Sequence, residues 1–407
     1  MNIAIVTTWF ERGAAYVSKQ YAELLKDNHN IFIYARGGEL FELDKNSIWM
    51  QYNVTHDTSK PNGIPTFIDL NKFKTFLLDN NIDTVFFNEQ HWWHPVLFCK
   101  DLGIKTGSYI DYYTEETLPF FDIYDFVICN TKKHKKAFDK HPEAYYVPWG
   151  SDIEVFKPES YEMVDKNRVV FFHSCGMGPT RKGTDLLIQA VSQIQENFKL
   201  IIHSQLNLKD FYPHMSVTID KLIGENKLEI INKTVTAPGL YHLGDVYVYP
   251  SRLEGIGLTM VEAMLCGLPI IVPDEAPMSE FADVSIYNKK VKVDKLYCRK
   301  DAYYWPMCEI DIDDLKRKMI CFIEQIENIN RIKKETRGAA VQNFNWSNNI
   351  ETVNKIFESS MKKSVDIKLK NKIVFFENKR FPFSNKFSFF YRLKFLGKEF
   401  LKKVLFK

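Results

Sequence analysis

The sequence predicts an α/β protein built from two doubly wound, parallel-sheet domains. Three observations predict it. At 407 residues the chain is longer than one hydrophobic core usually serves. Short apolar strands alternate with helical patterns through the first half, and a second such series opens at residue 168. Between them lies a turn-rich crossing, Val147-Pro148-Trp149-Gly150-Ser151-Asp152 and then Phe156-Lys157-Pro158.

Taken in order, residues 3–7 read as a buried strand, residues 14–25 as a helix and residues 31–34 as the next strand. Residues 84–87 and 126–129 are later strands of the same series. The loop after the first strand, Thr7 to Ala14, holds one glycine, Gly13. It lacks the Gly-x-Gly-x-x-Gly of a dinucleotide fold, which argues against an oxidoreductase. In the second series, strands are predicted at 168–173, 200–203, 228–231, 246–249 and 269–272. Phe344-Asn345-Trp346 then precedes a helix to about residue 359. The expected division is a first domain over 1–147, a second over 148–343, a returning helix over 344–360 and a tail over 361–407.

Composition supports two cores: 45% of residues are hydrophobic and 14% aromatic. Seven scattered cysteines without a Cys-x-x-Cys pair argue against a disulfide framework or zinc site and for a reducing cytosol. Residues 1–6 form a strand pattern without the basic region and long apolar core of a signal peptide. No stretch approaches the roughly 18 apolar residues of a membrane span. The net charge of +3 hides an asymmetry, because residues 361–407 carry 14 Lys and Arg against 3 Asp and Glu.

Function is carried by residues 249–275. A strand ending at Tyr249-Pro250 runs into the loop Glu254-Gly255-Ile256-Gly257, with a helix predicted from near Thr259 to Gly267. A glycine-rich loop ahead of a helix directs backbone N–H groups and the positive end of the helix dipole at an anion, which seats a phosphate. Glu254 lies in the loop and Glu262 one turn further on. A carboxylate there can accept hydrogen bonds from vicinal hydroxyls, as on a ribose, for roughly 1.5–3 kcal/mol each. Thr259 and Glu262 equally fit a capping box, which needs no ligand.

The longer pattern Pro250-Ser251-x-x-Glu254-Gly255-x-Gly257-Leu258-x-x-x-Glu262-Ala263-Met264-x-Cys266-Gly267-x-Pro269 resembles the nucleotide-sugar site of family 4 retaining glycosyltransferases of the GT-B fold, a pair of Rossmann-like domains facing a central cleft. The resemblance implies that Glu254 contacts donor-sugar hydroxyls, that Gly255, Gly257, Leu258 and Thr259 face the diphosphate, and that Glu262 holds the ribose. It also implies Lys182 and Arg181 as phosphate ligands, in Met177-Gly178-Pro179-Thr180-Arg181-Lys182-Gly183, although Met177 stands where the family has its first arginine. By strand spacing Asn88 falls at the family's sugar-contacting histidine, with His91 three residues on; both are candidates, and Trp92 or Trp93 can stack on a sugar. The alternative is that His91 and His94 cap the next helix while the tryptophans pack. Gly13 matches the first-domain loop that borders the donor phosphates, and the base is expected near Ile231-Asn232-Lys233. The resemblance implies a nucleotide-sugar donor, a glycan or lipid-linked acceptor, and no metal or other cofactor.

Residues 384–407 place Phe389, Leu393, Leu396, Phe400 and Val404 on one helical stripe among Lys394, Lys398, Lys402 and Lys403. With Phe375, Phe376, Phe381, Phe383 and Phe387 upstream, residues 375–407 suit an anionic membrane surface on the cytoplasmic side. The other reading docks these aromatics on the acidic body. Nucleic acid is not expected, because the tail mixes phenylalanine with lysine and contains no recognised binding module. The expectation is therefore a retaining glycosyltransferase of cell-surface polysaccharide or lipopolysaccharide synthesis. Its rivals are an epimerase or hydrolase on the same fold and a silent nucleotide-sugar-binding protein.

Overall fold

A computed structural model describes residues 1–36, 48–59, 64, 66–110 and 112–381. The chain divides into two units. Met1–Asn130 and His134–Val147, with the described part of Asn349–Lys407, form the first; Thr131–Lys133 and Pro148–Asn348 form the second.

The first unit holds strands β1 (Asn2–Thr7), β2 (Asn30–Ala35), β3 (Asn53–His56), β4 (Thr84–Phe87), β5 (Lys105–Tyr109), β6 (Phe126–Cys129) and β7 (Ala144–Tyr146). They pair in the order β3-β2-β1-β4-β5-β6-β7, every pair parallel. Strands covered by helices on both faces read as unbroken apolar runs, as Ile3-Ala4-Ile5-Val6 does. Sequence pattern passes over the weakly apolar edge strands β3 and β7 and also the interior β5, whose Lys-Thr-Gly-Ser-Tyr is buried but polar.

The second unit repeats the plan. Strands β8 (Val169–Gly176), β9 (Phe198–Ser204), β10 (Leu228–Asn232), β11 (Val246–Val248), β12 (Ile270–Pro273) and β13 (Lys289–Val291) pair in the order β10-β9-β8-β11-β12-β13, again all parallel. An antiparallel hairpin, β14 (Val293–Tyr297) and β15 (Met307–Ile310), is appended. Among its helices, Ile312–Ile323 packs on Thr184–Val191 and Ile329–Phe344 on Leu258–Leu265. Both sheets reverse direction beside their first strand, and in such sheets ligands bind beyond the carboxyl ends of the strands that flank the reversal.

The expected boundary at residue 343 moves. Residues 344–348 stay with the second unit, because the Ser151 N–H donates to the Phe344 carbonyl at 2.9 Å and the Trp346 N–H to the Ser151 carbonyl at 3.1 Å. Trp149 and Trp346 pack 4.8 Å apart behind this pairing. The next helix, Ile350–Ser359, belongs to the first unit, where Asn354 donates to the Leu24 carbonyl and Lys105 to the Phe357 carbonyl.

The tail reading is corrected in part. Residues 367–380 form a helix that docks on the first unit. Ile373, Glu377 and Phe381 are buried there, and Phe376 meets Phe120 at 5.1 Å. Phe376 and Phe381 are thus taken by the protein itself, while Phe375 is exposed. Phe383, Phe387 and the stripe from Phe389 to Val404 lie outside the described residues.

Candidate functional site

In the second unit the strands flanking the sheet reversal are β8 and β11. The loop after β8 carries Arg181 and Lys182; the loop after β11 carries Glu254. Tertiary structure puts the two loops in contact. Gly183 has φ +70°, and a Cβ there would fall on the Pro250 carbonyl oxygen, so only glycine permits the approach. Arg252 ties the loops from the other side. Its guanidinium forks onto Asp185 with two bonds of 2.7 Å, reaches the Thr180 carbonyl and touches Glu309 of β15 at 3.2 Å. A bidentate Arg–carboxylate pair fixes direction as well as distance.

Glu254 sits at the centre with its side chain only 5% exposed. One oxygen, Oε1, accepts from Arg181 at 2.9 Å, Lys182 at 2.7 Å, Tyr249 at 2.8 Å and Ser251 at 2.5 Å. Burial works to raise its pKa, but the charges of Arg181 and Lys182 outweigh this and hold it at about 2. Lys182 shows the converse. Burial, helped by the Arg181 charge, brings its ammonium down to about 8 against the pull of Glu254. Its Nζ also lies 4.7 Å over the Tyr249 ring. Arg181 thus reaches the site from four positions beyond the expected one, and Met177, 74% exposed, takes no part in the cluster.

The helix begins at Leu258, one residue earlier than predicted, and its N-cap is Gly257 at φ +87°. The capping-box reading of Thr259 and Glu262 therefore fails, since Thr259 lies inside the helix and the cap makes no side-chain bond. The first N–H groups of the helix, at Leu258 and Thr259, have no acceptor within it, so they and the dipole face the loop that Gly255 and Gly257 form. Side chains on a helix lean toward its N-terminus, which aims Glu262 back at this end. Glu262 accepts from the Tyr241 hydroxyl at 2.6 Å. Burial lifts its pKa to about 7, against the Tyr241 bond and the Lys182 charge.

Along β10, Asn232 and Lys233 close the sheet edge where the base was expected. His203 Nε2 bonds the Lys233 carbonyl at 2.8 Å and its Nδ1 the Ser174 hydroxyl at 2.9 Å, which uses both nitrogens of the ring for the fold.

In the first unit, the loops after β1 and β4 meet at the corresponding reversal. Gly13 opens the helix Gly13–Leu25. Asn88 is corrected: it is 1% exposed, and its amide donates to the Ala14 carbonyl at 2.8 Å and the Ser18 hydroxyl at 2.7 Å. Its amide nitrogen ties β4 to the first two turns of that helix, while its Oδ1 has no hydrogen-bond partner among the described residues. The His91 ring stands edge-on to Tyr112 at 5.1 Å, and burial, reinforced by Arg36 and Arg380, lowers its pKa to about 3, so it is neutral. Trp92 and Trp93 are also corrected. Trp92 stacks on Phe67 and His94, and Trp93 packs among Phe120, Phe121 and Tyr124, leaving neither face for a sugar.

Sequence reasoning missed Tyr241, Tyr249 and Arg252. Tyr249 directly precedes the quoted motif and Arg252 fills one of its unspecified positions, yet nothing local says which partner they meet. Among the described residues no group of three or more His, Cys, Asp or Glu side chains is placed to hold a metal ion.

Comparison with known proteins meets this geometry at the same residues. Residues 167–289 match the family model described as "Glycosyl transferases group 1". The chain superposes on Anabaena HepE, solved in complex with UDP and glucose, at TM-score 0.67 and 17% identity over 88% of this chain and 100% of that one. On WaaG, a glycosyltransferase involved in lipopolysaccharide biosynthesis, the values are 0.62, 14%, 88% and 100%. The chain has the GT-B fold. In this GT-B chain the family match covers the sheet reversal with both loops of the Glu254 cluster. An uncharacterized glycosyltransferase of Methanocaldococcus jannaschii is 25% identical over 238 residues, which span 58% of this chain and 59% of that relative's length.

Proposed function

We propose that the chain transfers a sugar from a nucleotide-diphosphate donor to an acceptor hydroxyl. One observation carries this: two cations and an ionised carboxylate are clustered beside a glycine loop and a helix N-terminus. Without donor, Glu254 pairs with both Arg181 and Lys182 and offsets one of their two charges. A bound diphosphate competes for the same cations and for the N–H groups at Leu258 and Thr259. Arg181 and Lys182 then turn to the phosphates, and Glu254 is freed to accept from sugar hydroxyls. The helix dipole and the two cations stabilise the departing diphosphate electrostatically, with no resident metal.

Retention of configuration and a family 4 assignment rest on the motif resemblance. No second carboxylate sits in the cluster as a nucleophile, so attack from the leaving-group side, with a phosphate oxygen taking the acceptor proton, is the mechanism proposed. The lipopolysaccharide-type acceptor is supported by the likeness to WaaG and by the basic, Phe-rich sequence beyond residue 381. Peripheral attachment to the cytoplasmic face of a membrane is part of the same proposal; among the described residues no helix is long and apolar enough to cross one.

The test is a thermal-shift screen with UDP-, GDP- and ADP-sugars, followed by turnover with and without glycan and lipid-linked acceptors. A ligand at 100 times its dissociation constant raises stability by roughly 2.7 kcal/mol. Nucleotide release that depends on acceptor supports transfer. Fast release from donor alone points to a hydrolase, and binding without turnover to a silent binding protein.

A further inference from the structure

Behind the two carboxylates lies a row of buried tyrosines. Tyr247 and Tyr249, two residues apart in an extended segment, share a face and stack with ring centroids 5.4 Å apart and planes inclined by 23°. Tyr241, on the tight turn Tyr241–Leu243, ends the row with its ring 5.8 Å from that of Tyr247. The outer phenols are each committed to one glutamate. Tyr249 donates to Glu254, and Tyr241 donates to Glu262 Oε2 at 2.6 Å.

We propose that Tyr241 is a positioning residue for the ribose of the nucleotide. Its phenol holds the Glu262 carboxylate in the orientation that accepts both vicinal hydroxyls. This deepens the donor-site reading above, on which it rests.

The argument is geometric. The Tyr241 ring is 5% exposed and wedged between Phe156, Phe172 and Tyr247, so its hydroxyl is a fixed point. Glu262 has three side-chain torsions, and a long side chain forfeits rotamer freedom when a ligand first orders it. A fixed phenol removes that freedom before the ligand arrives. An ionised carboxylate offers about four acceptor positions, and the phenol takes one, leaving enough for two ribose hydroxyls. A lysine in its place would form an ion pair and compete with the hydroxyls; a phenol donates one hydrogen and adds no opposing charge.

A purely structural tie between the turn and the helix Leu258–Leu265 would affect melting and nothing else. The experiment therefore reads a ratio. Affinities of the wild type, Tyr241→Phe and Glu262→Asp are measured by calorimetric titration with UDP, GDP, ADP and CDP and with their 2′-deoxy and 3′-deoxy counterparts. The wild type is expected to prefer the ribonucleotide about tenfold or more. Tyr241→Phe should lower that preference roughly five- to tenfold while leaving the affinity for the deoxynucleotides unchanged. The ratio is independent of the folded fraction, so a lowered melting temperature does not obscure it. Glu262→Asp, which withdraws the carboxylate from the phenol and keeps its charge, should lose the preference as well. An unchanged ratio in either variant overturns the role of Tyr241 and leaves the donor site standing. A wild type that binds none of the four diphosphates overturns the donor-site reading and this proposal with it.

Discussion

Glu254 and Glu262 lie eight residues apart on one loop and helix, yet their surroundings drive them in opposite directions. Glu254 faces two cations and stays ionised; Glu262 faces a phenol, and burial dominates. Glu254→Gln removes the charge that balances Lys182 and Arg181. The unliganded variant should melt lower, because Lys182 is left nearly buried without a counter-ion. A diphosphate should bind it at least as tightly as the wild type, since no carboxylate competes for the cations. Turnover should nevertheless fall by two to three orders of magnitude, about 3–4 kcal/mol of barrier. Near-normal turnover, or loss of diphosphate binding, would refute the assignment. The pH dependence of stability follows from the same residues. Glu262 and Glu377 both carry pKa values raised to about 7 from an ordinary 4.5. The folded state therefore holds protons that the unfolded state has released, and their contribution is complete below pH 4.5 and lost as pH rises through about 7. Glu254 acts in the other sense, with a contribution present above 4.5 and lost as pH falls toward about 2. Glu377→Gln should flatten the fall in melting temperature between about pH 4.5 and about pH 7. An unchanged slope would show that Glu377 does not titrate there.

At the level of elements, the site exists because two loops touch. Gly183 ends the loop after β8 in the left-handed region and leaves no room for a side chain against Pro250. Gly183→Ala combines backbone strain with a steric clash, each costing about 1–3 kcal/mol. The loop that carries Arg181 and Lys182 must then move off the Pro250 loop. Nucleoside diphosphate affinity should fall at least tenfold, whereas Gly224→Ala, where an added Cβ meets nothing within 4 Å, should leave it unchanged. Equal behaviour of the two variants in a binding titration would refute the close approach as the organising contact.

At the level of the whole molecule, the docked helix Ile367–Arg380 separates two roles of the C-terminal segment. Truncation after Ser360 would uncover the surface that Ile373 and Phe381 cover, at about 3–6 kcal/mol for two buried side chains. That variant should melt markedly lower. Truncation after Phe381 leaves the docked helix in place and removes seven Lys and Arg with one Glu. It should keep the melting temperature and nucleotide affinity of the intact chain but lose salt-sensitive sedimentation with anionic vesicles. Each basic residue contributes about 1 kcal/mol near such a surface, so the loss should be plain. Equal sedimentation of the two proteins would remove the membrane reading.

What the sequence determined by itself is the plan of two parallel sheets and the residues of a candidate site. Parallel strands covered on both faces are mostly apolar runs, so β1, β4, β6, β8 and β12 announce themselves, as does the alternation that makes both sheets parallel; β5, Lys-Thr-Gly-Ser-Tyr, is buried without being apolar and does not. The glycine loop, Glu254, Glu262, Arg181 and Lys182 were singled out from short-range spacing, and the structure gathers Arg181, Lys182 and Glu254 into one cluster. Edge strands β3 and β7 were not legible, because an edge needs little apolar sequence. Tertiary structure alone decided the partners. Arg181 and Glu254, 73 residues apart, meet only because β8 and β11 are neighbours at the sheet reversal. The same pairing rules fold the Asn88 amide inward onto Ser18, a contact that its position in the loop after β4 does not announce. Spacing along the chain states what a residue is able to bind; whether it faces a ligand or its own helix depends on which strands pair and which side chains are left outside the core.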